Sequence, residues 1–175
     1  DATNSLAIAK IYETKNRPIF NPLIIHFSSF DEIRENCEIR DDVEKLNNLF
    51  WPGPLTIILK KKKDSKICEL ASAGLDTIGV RIPNNKTALE LIRSFKKPLA
   101  APSANKSTSL SSTEAKHVYE YFKKDKNLSI ILDDGSAKIG LESTILHLIN
   151  NEIHILRHGG ISTEKIKENF PNKII

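Results

Sequence analysis

An arginine beside a bare stretch of predicted strand is the first feature that indicates a binding site. In residues 77–82 apolar side chains alternate with Thr77, Gly79 and Arg81, so these three share one face. A small, uncovered surface next to a fixed guanidinium suits a ligand that carries a carboxylate or a phosphate. An edge strand with its arginine in solvent is the simpler explanation of this strand taken alone.

Small and polar side chains follow one another in residues 98–105, with the sequence PLAAPSAN. No large side chain comes after Leu99, so a ligand could approach the backbone closely there. Ser103 and Asn105 then offer a hydroxyl and an amide on the same side of an extended chain. The segment predicts either a ligand-binding loop or a tightly packed turn.

Basic side chains flank two of the predicted strands. Lys15 and Arg17 stand directly before a buried strand, and Arg157 ends another strand, with Gly159 and Gly160 after it. Cations at the mouth of a sheet are candidates for holding anions. For Lys15 and Arg17, an exposed basic helix end that favours the helix dipole explains the pattern as well.

Other chemistries find little support in the sequence. It holds no GxxxxGK[ST], GxGxxG, HExxH or CxxC pattern, and spacing reveals no Ser-His-Asp set. Asp133 and Asp134 are adjacent, so on a strand they would point to opposite faces rather than pair on a metal. His26, near a strand end, is more typical of a hydrogen-bonded structural histidine. Cys37 and Cys68 cannot complete a four-ligand zinc site, and no metal site is predicted.

Interleaved helices and strands must position these groups. We predict helices at residues 3–15, 31–50, 84–95 and about 112–122, the last capped by Ser112 or Thr113, and a closing helix capped by Thr163. Predicted strands are residues 22–27, 55–59, 77–82, 99–101, 129–132, 144–148 and 153–156, with a hairpin turn at Asn150-Asn151. This order predicts an α/β fold with a mixed sheet.

Composition narrows the class of protein. The 175 residues are 39% hydrophobic and 27% charged, which excludes collagen-like or generally disordered chains. No apolar run approaches the ~18 residues of a membrane span, so no membrane partner is expected. No leader segment opens the chain and cysteine is scarce, which favours a reducing, cytoplasmic location. The net charge of +4 suits an anionic ligand or a weak RNA contact.

Six sequence blocks, taken together, are more specific than any one of these features. They are KNRP at 15–18 with NPL at 21–23 and His26, FWPGPLT at 50–56, GLDT at 74–77 with VRIP at 80–83, PLAAPSAN at 98–105, GLEST at 140–144, and LR at 156–157 with GG at 159–160. In this order they resemble the YrdC-like family, the threonylcarbamoyl-AMP synthases, across nearly the whole chain.

The resemblance implies an activity and a fold. Members of the family make threonylcarbamoyl-AMP and pyrophosphate from L-threonine, bicarbonate and ATP, and a partner complex transfers the threonylcarbamoyl group to tRNA. The family fold is a twisted mixed sheet with flanking helices around a basic cavity. All three reactants carry anionic groups, so fixed cations lower the cost of gathering them. Mg²⁺ is expected with the ATP phosphates, without a dedicated protein site.

The resemblance also implies roles for residues of this chain. By motif, the charged and polar set around nucleotide and bicarbonate is Lys15, Arg17, Ser103 and Asn105. ATP contacts are expected from Arg17, Asn21, Thr77, Ser103, Ser111 and Arg157. The threonine pocket is expected from His26, Arg81, Ala101 and Ser143, with Arg81 the natural partner of the threonine carboxylate.

This chain departs from the family pattern at several places, among them Asp134 and His158, which stand where Gly and Pro are common. The PTETVYGLG segment that precedes Asp1 in the family is absent, and the chain has no methionine. We therefore expect one YrdC-like domain over residues 1–175 that is truncated at its N-terminus. Before Ser111 the chain reads KSTSL, where the family usually has Gly and Pro.

Two other functions stay open from the sequence. A non-catalytic RNA-binding module would use the net charge and the basic run Lys60–Lys63, which is otherwise a solvated hairpin, and would bind tRNA or double-stranded RNA weakly. A carbamoyl-adenylate-handling domain of the hydrogenase-maturation type would use the same KxRP and SxN residues. Such domains normally belong to much longer proteins.

Overall fold

One mixed six-stranded sheet forms the centre of the computed structural model, which describes residues 1–137 and 140–173. The strands lie in the order β4-β1-β3-β2-β5-β6, with β1–β3 and β2–β5 parallel and the other neighbours antiparallel. Their bounds are β1 Ile24–His26, β2 Leu55–Lys60, β3 Thr77–Arg81, β4 Leu99–Ala100, β5 Thr144–Ile149 and β6 Glu152–Arg157. The predicted α/β class with a mixed sheet is confirmed.

Within the described residues, six α-helices and one short 3-10 helix accompany these strands. Their bounds are α1 Ser5–Lys15, α2 Phe30–Asn36, α3 Asp41–Phe50, α4 Lys86–Phe95, α5 Ala115–Phe122, α6 Thr163–Asn169 and the 3-10 helix Glu69–Ser72. Helix α1 begins at Asn4, whose side chain accepts hydrogen bonds from two backbone N–H groups of the first turn. It ends at Asn16, in the left-handed conformation, which turns the chain sharply after Lys15.

The predicted helix over residues 31–50 is wrong as a single element, because the chain breaks it into α2 and α3. Between them Cys37 forms a β-bridge with Lys61, and the N–H of Glu38 donates to the carbonyl of Lys60 at 2.9 Å. These long-range backbone hydrogen bonds hold the segment extended. Helical periodicity along the sequence does not reveal a partner that lies more than twenty residues away.

The predicted strand at residues 129–132 is also wrong. This segment has no ladder partner among the described residues, and the Ile130 side chain is 79% exposed. Two predicted caps differ as well. Helix α5 begins after Glu114 without a side-chain cap, since the Ser112 hydroxyl donates instead to the carbonyl of Ala104. Helix α6 is capped by Ser162, and Thr163 is its first residue.

The two faces of the sheet differ in what they contact. One face carries the fully buried side chains of Ile25, Leu55, Ile57, Val80 and Leu146, as the alternation in β3 predicts. The same buried cluster includes side chains from α1, α2, α3 and α6. This face is therefore the core side of the sheet, and burial of its apolar area is the main stabilising contribution.

The opposite face carries polar and small residues interspersed with isoleucines. The strand register places Arg81 beside His26 of β1, and Gly79 beside Ile24 of β1 and Ile58 of β2. A Cβ atom added at Gly79 would lie 3.3 Å from the Thr56 side chain, tighter than ordinary contact. Because Gly79 has no side chain, none projects from this position of the sheet next to Arg81.

Helices of the described ranges are all too short or too polar to cross a lipid bilayer.

Candidate functional site

Arg81 is the central cation of the polar sheet face. Its Nε atom donates to the carbonyl of Gly53 at 3.0 Å, which fixes the side chain against the loop before β2. Among the described residues its two Nη atoms have no hydrogen-bond partner. Burial lowers the pKa of Arg81, with Glu142 opposing and Arg157 adding to that shift. The guanidinium remains charged, because even a lowered arginine pKa stays far above neutral pH.

His26 lies next to Arg81 on the neighbouring strand and is 9% exposed. Its Nδ1 lies 3.3 Å from the carbonyl oxygen of Ile24, so a proton on Nδ1 donates to that oxygen and Nε2 stays an acceptor. Burial, and then the charge of Arg81, lower the His26 pKa to about 4. The ring is therefore neutral at physiological pH and offers an acceptor rather than a charge.

Lys15 joins the end of α1 to the PLAAPSAN loop. It is buried, and its Nζ donates to the backbone carbonyls of Ser103 and Asn105. The N–H of Ser107 donates in turn to the Lys15 carbonyl at 2.8 Å. Burial, followed by the charge of Arg17, lowers the Lys15 pKa to about 8. The sequence predicted Lys15, Ser103 and Asn105 as one group, and the structure brings them together through backbone carbonyls rather than side-chain polar atoms.

Asn105 is buried and its amide is used on one side only. Its Nδ2 donates to the carbonyls of Lys106 and Ser109 at 3.1 and 2.6 Å, which closes the loop after the motif. Its Oδ1 is buried and has no hydrogen-bond partner among the described residues. A buried amide oxygen without a donor is costly, so this atom is suited to accept from a ligand or a water.

Arg17 binds the chain that leads into β1. Its Nε and Nη2 atoms donate to the backbone and side-chain oxygens of Asn21, and Nη2 also donates to the carbonyl of Pro22 at 2.9 Å. Burial lowers the Arg17 pKa, and its charge in turn lowers that of Lys15. The Arg17 guanidinium is therefore hydrogen-bonded to the segment before β1 and is not a free cation at the end of α1. It lies close enough to Lys15 to contribute to the same field.

Arg157 forms a hydrogen-bonded chain with two buried residues, Ser143 and Thr56. The Arg157 Nε and Nη2 atoms donate to the Ser143 carbonyl and hydroxyl oxygens at 2.9 and 2.8 Å. The Ser143 hydroxyl lies 2.8 Å from that of Thr56. Either hydroxyl of this pair can be the donor, since the Ser143 oxygen has a second lone pair besides the one that accepts from Nη2 of Arg157. This chain fixes the end of β6 against the start of β5.

Glu142 interacts with several of these groups, although no role was predicted for it from the sequence. Its Oε1 accepts from the Ser111 hydroxyl at 2.6 Å, and its Oε2 lies 3.6 Å from Nη2 of Arg157. Its charge also raises the pKa values of Lys15 and Arg81 against the effect of burial. Cations from three separate segments therefore interact with the charge of one carboxylate, and Arg157 is the one paired with it directly. Only the GLEST motif could have indicated Glu142 as a site residue, since a single exposed glutamate has no partner residue at a spacing typical of a site.

Two glycines hold the backbone of this carboxylate in place. The N–H of Gly160 donates to the Glu142 carbonyl at 3.0 Å. A Cβ atom at Gly159 would lie 2.4 Å from that same oxygen, and one at Gly160 would lie 2.8 Å from the Pro54 side chain. Only glycine allows this close approach of two backbones.

The remaining predicted residues lie at the edges of this arrangement. Thr77 is on the Arg81 face at the other end of β3, about 13 Å away at ~3.3 Å per strand residue. Ala101 is exposed beside β1, with its N–H donating to the Ile24 carbonyl at 3.3 Å. Asn21 and Ser111 are exposed, each hydrogen-bonded to one charged site residue.

A separate groove of about 670 Å³ lies elsewhere on the molecule and includes none of the predicted site residues. Its lining carries charges of both signs, among them Glu32, Glu35, Lys66, Lys96 and Lys97. Such a mixed surface lacks the excess positive charge that a polyanion needs.

The basic run Lys60–Lys63 is largely engaged by neighbouring groups. Lys60 pairs with Glu38 at 3.0 Å, and Lys61 pairs with Glu69 at 2.7 Å. Lys62 donates to the backbone carbonyl of Arg34. Two of its four charges are thus locally offset, which weakens the case for an RNA-binding patch.

In the part of the chain that the structure describes, no group of three or more His, Cys, Asp and Glu side chains is placed to hold a metal ion. The donors of the site are guanidinium, ammonium, hydroxyl and amide groups, which suit anions rather than cations.

Comparison with known proteins identifies the family. The model of the Sua5, YciO and YrdC proteins, described as "Telomere recombination", matches residues 1–159. The chain belongs to this family. It is 41% identical over 169 residues to threonylcarbamoyl-AMP synthase of Pyrococcus abyssi, covering 96% of this chain and 48% of that protein. It is 40% identical over 168 residues to the Bacillus subtilis synthase, with 95% and 48% covered. The chain thus spans about half the length of these relatives.

Solved structures of family members show the same fold. Sua5 of P. abyssi complexed with L-threonine is 40% identical, has a TM-score of 0.93, and is matched over 100% of this chain and 51% of its own. YciO of E. coli, at 19% identity and a TM-score of 0.81, covers 94% of this chain and 78% of its own, and is alike in fold alone. The same holds for full-length HypF, at 18% identity and a TM-score of 0.77, over 91% of this chain and 24% of its own.

Proposed function

We propose that this chain carries the catalytic site of an L-threonylcarbamoyladenylate synthase, which forms threonylcarbamoyl-AMP and pyrophosphate from L-threonine, bicarbonate and ATP. The observation that carries the proposal is that cations from three separate segments interact with one carboxylate: Arg157 lies 3.6 Å from Glu142, whose charge also raises the pKa values of Lys15 and Arg81. The 40% identity to Sua5 of P. abyssi, a protein crystallised with L-threonine, supports the choice of substrate.

Charge explains why such a reaction needs this site. The triphosphate, bicarbonate and the threonine carboxylate are all negative at neutral pH, so they repel one another when brought together. Fixed cations and hydrogen-bond donors that are already oriented offset this repulsion without reorganisation during the reaction. The partly unused guanidinium of Arg81 and the buried ammonium of Lys15 are groups of this kind.

The chemistry needs no side-chain nucleophile. The neutral threonine amine attacks the bicarbonate carbon, and loss of one water leaves the carbamate anion. A carbamate oxygen then forms a bond to the α-phosphorus of ATP, while the bond from that phosphorus to the bridging oxygen breaks and pyrophosphate leaves. The protein has to align these atoms and to stabilise the charge on the pentacoordinate phosphorus and the leaving group.

The family motifs suggest the role of each residue in the proposed reaction. Arg81 would pair with the threonine carboxylate, with neutral His26, Ala101 and Ser143 around it. Lys15, Arg17, Ser103 and Asn105 would surround the reacting bicarbonate and α-phosphate. Arg17, Asn21, Thr77, Ser103, Ser111 and Arg157 would contact ATP along the polar face.

Mg²⁺ would enter bound to the triphosphate, where it offsets phosphate charge. The product is a reactive mixed anhydride, so a tRNA-modifying transferase complex would receive the threonylcarbamoyl group. We place this protein before such a complex in the modification of tRNA.

An isotope-transfer experiment tests the proposal. The chain is incubated with ATP, Mg²⁺, L-threonine and isotope-labelled bicarbonate, and AMP adducts are separated by chromatography. We expect label in an AMP adduct, with one pyrophosphate released per adduct, and neither product when threonine is omitted. Label that never enters an AMP adduct in the presence of threonine would refute the proposal.

A substrate exchange separates this function from the hydrogenase-maturation type. Carbamoyl phosphate replaces bicarbonate and threonine in a second reaction. We expect no pyrophosphate release under that condition. Release with carbamoyl phosphate but not with threonine would assign the chain to the other class.

A further inference from the structure

The carboxylate of Glu142 occupies the middle of a site that is otherwise built for anions. Its side chain is 43% exposed, so it is not locked by packing. It is held by one short hydrogen bond from Ser111 and by an ion pair of 3.6 Å with Arg157. Its backbone, by contrast, is fixed by the close approach of Gly159 and Gly160. A side chain that rotates from a fixed backbone position can leave the site without disturbing the sheet.

The surrounding charges explain why a carboxylate lies there. The charge of Arg157 lowers the pKa of Arg81, whereas the charge of Glu142 raises the pKa values of both Arg81 and Lys15. Like charges in a partly buried site repel strongly unless an anion lies between them. Glu142 is the anion that offsets this repulsion in the protein without ligand.

The hydrogen-bond donors show that Glu142 and a ligand would compete. Ser111 has one hydroxyl proton, and it is donated to Oε1 of Glu142. Arg157 directs Nη2 to the Ser143 hydroxyl and toward Oε2 of Glu142. A phosphate bound by Ser111 and Arg157 therefore needs the proton and the space that the carboxylate now takes.

We propose that Glu142 is a displaceable internal anion, whose carboxylate holds the anion-binding position between Ser111, Arg157 and Arg81 until a phosphate-bearing ligand takes it. The inference rests on the proposed function, since it concerns the same site. In this role Glu142 would set the affinity for the anionic substrate. It would also keep the cations in place when the substrate is absent.

Binding of inorganic pyrophosphate without divalent metal tests this inference. The affinities of the wild type and of Glu142→Gln are measured by isothermal titration calorimetry. Glutamine keeps the shape and an acceptor for Ser111 but removes the charge, so we expect pyrophosphate to bind about tenfold more tightly to the variant. Glu90→Gln, on the exposed side of α4, makes the same change in net charge and is expected to leave the affinity within about twofold of wild type.

The outcomes distinguish this inference from the proposed function. Unchanged or weaker pyrophosphate binding by Glu142→Gln overturns the inference, and if the wild type still forms the labelled adduct, the proposed function stands. Tighter binding by the variant in a protein that forms no adduct supports the displaceable anion and refutes the synthase reaction. Equal tightening by Glu90→Gln would show an effect of net charge only and would also overturn the inference. Circular dichroism melts confirm that each variant is folded.

Discussion

At the scale of single residues, the site depends on cations that the protein uses only in part for its own structure. Arg81 is anchored by Nε, and among the described residues its Nη atoms are unused. A guanidinium that is held in position but not saturated loses little conformational entropy when it binds a carboxylate. In the proposed site, removal of Arg81 should therefore have the most direct effect on threonine binding.

Replacement of Arg81 by Ala should weaken threonine binding by about 1.5–3 kcal/mol, the usual cost of losing a charge-assisted hydrogen bond. Calorimetry with L-threonine measures the change, with Arg93→Ala on α4 as the matched control that removes an exposed arginine. Threonine affinity equal to that of wild type would remove Arg81 from the site. Denaturant unfolding of both variants separates lost binding from the lost contact with Gly53.

His26 should make stability fall in mild acid. The unfolded chain takes up a proton near pH 6.5, whereas the folded state takes it up only near pH 4, because burial and Arg81 lower the pKa. Between these values the unfolded state binds more protons, so the free energy of unfolding decreases as pH falls through this window. The His26 contribution to this loss is at most about 3 kcal/mol.

The measurement is urea unfolding of wild type and His26→Gln at several pH values from about 7 to about 4. We expect the variant, which has no titrating ring at this position, to lose less stability over the range. Identical slopes for the two proteins would show that His26 is protonated in the folded state with an ordinary pKa.

At the scale of elements, the site is assembled from segment ends. The end of α1 supplies Lys15, the loop after β4 supplies the carbonyls that bind it, and the start of β5 packs on the glycines that follow β6. Contacts of this kind are backbone to backbone or charge to backbone. They tolerate little change in spacing, because neither partner can rotate away.

Gly159→Ala should therefore be strongly destabilising. The added Cβ would lie 2.4 Å from the Glu142 carbonyl oxygen and 2.5 Å from the Ser143 carbonyl carbon, both backbone atoms. We expect a loss of roughly 2–4 kcal/mol in the free energy of unfolding, by the overpacking mechanism.

Gly135→Ala provides the comparison in this prediction. Gly135 has open space around it but a φ of +82°, so alanine there adds only backbone strain of about 1 kcal/mol. Equal losses in the two variants, measured by urea unfolding, would mean that the packing of Gly159 on Glu142 and Ser143 is unimportant.

At the scale of the whole molecule, the apolar core and the polar face of the candidate site lie on opposite sides of one sheet. Its buried face contributes the apolar core, and its other face gathers charges that oppose folding because they repel one another. Burial of apolar side chains on the core face offsets the free-energy cost of keeping several cations close together.

Ionic strength should therefore affect the two organic substrates of the proposed reaction differently. In the proposed site ATP would present a polyanion to several cations, whereas threonine is a zwitterion that would meet one guanidinium. From about 50 mM to about 500 mM salt we expect ATP affinity to fall roughly tenfold and threonine affinity to change less than about twofold. Calorimetric titrations at both salt concentrations test this, and equal salt dependence would contradict a site that recognises the triphosphate through its charge.

The two faces of β3, the α/β class and the family could be predicted from the sequence, since these depend on local alternation and on motifs that can be read along the chain. The break in the helix over residues 31–50 could not, because the bridge from Cys37 to Lys61 joins distant segments. Nor could the contacts of Lys15 with the carbonyls of Ser103 and Asn105, or the ion pair of Glu142 with Arg157. These features arise from atoms brought together by folding, and no periodicity along the chain encodes which carbonyl or carboxylate a given cation will meet.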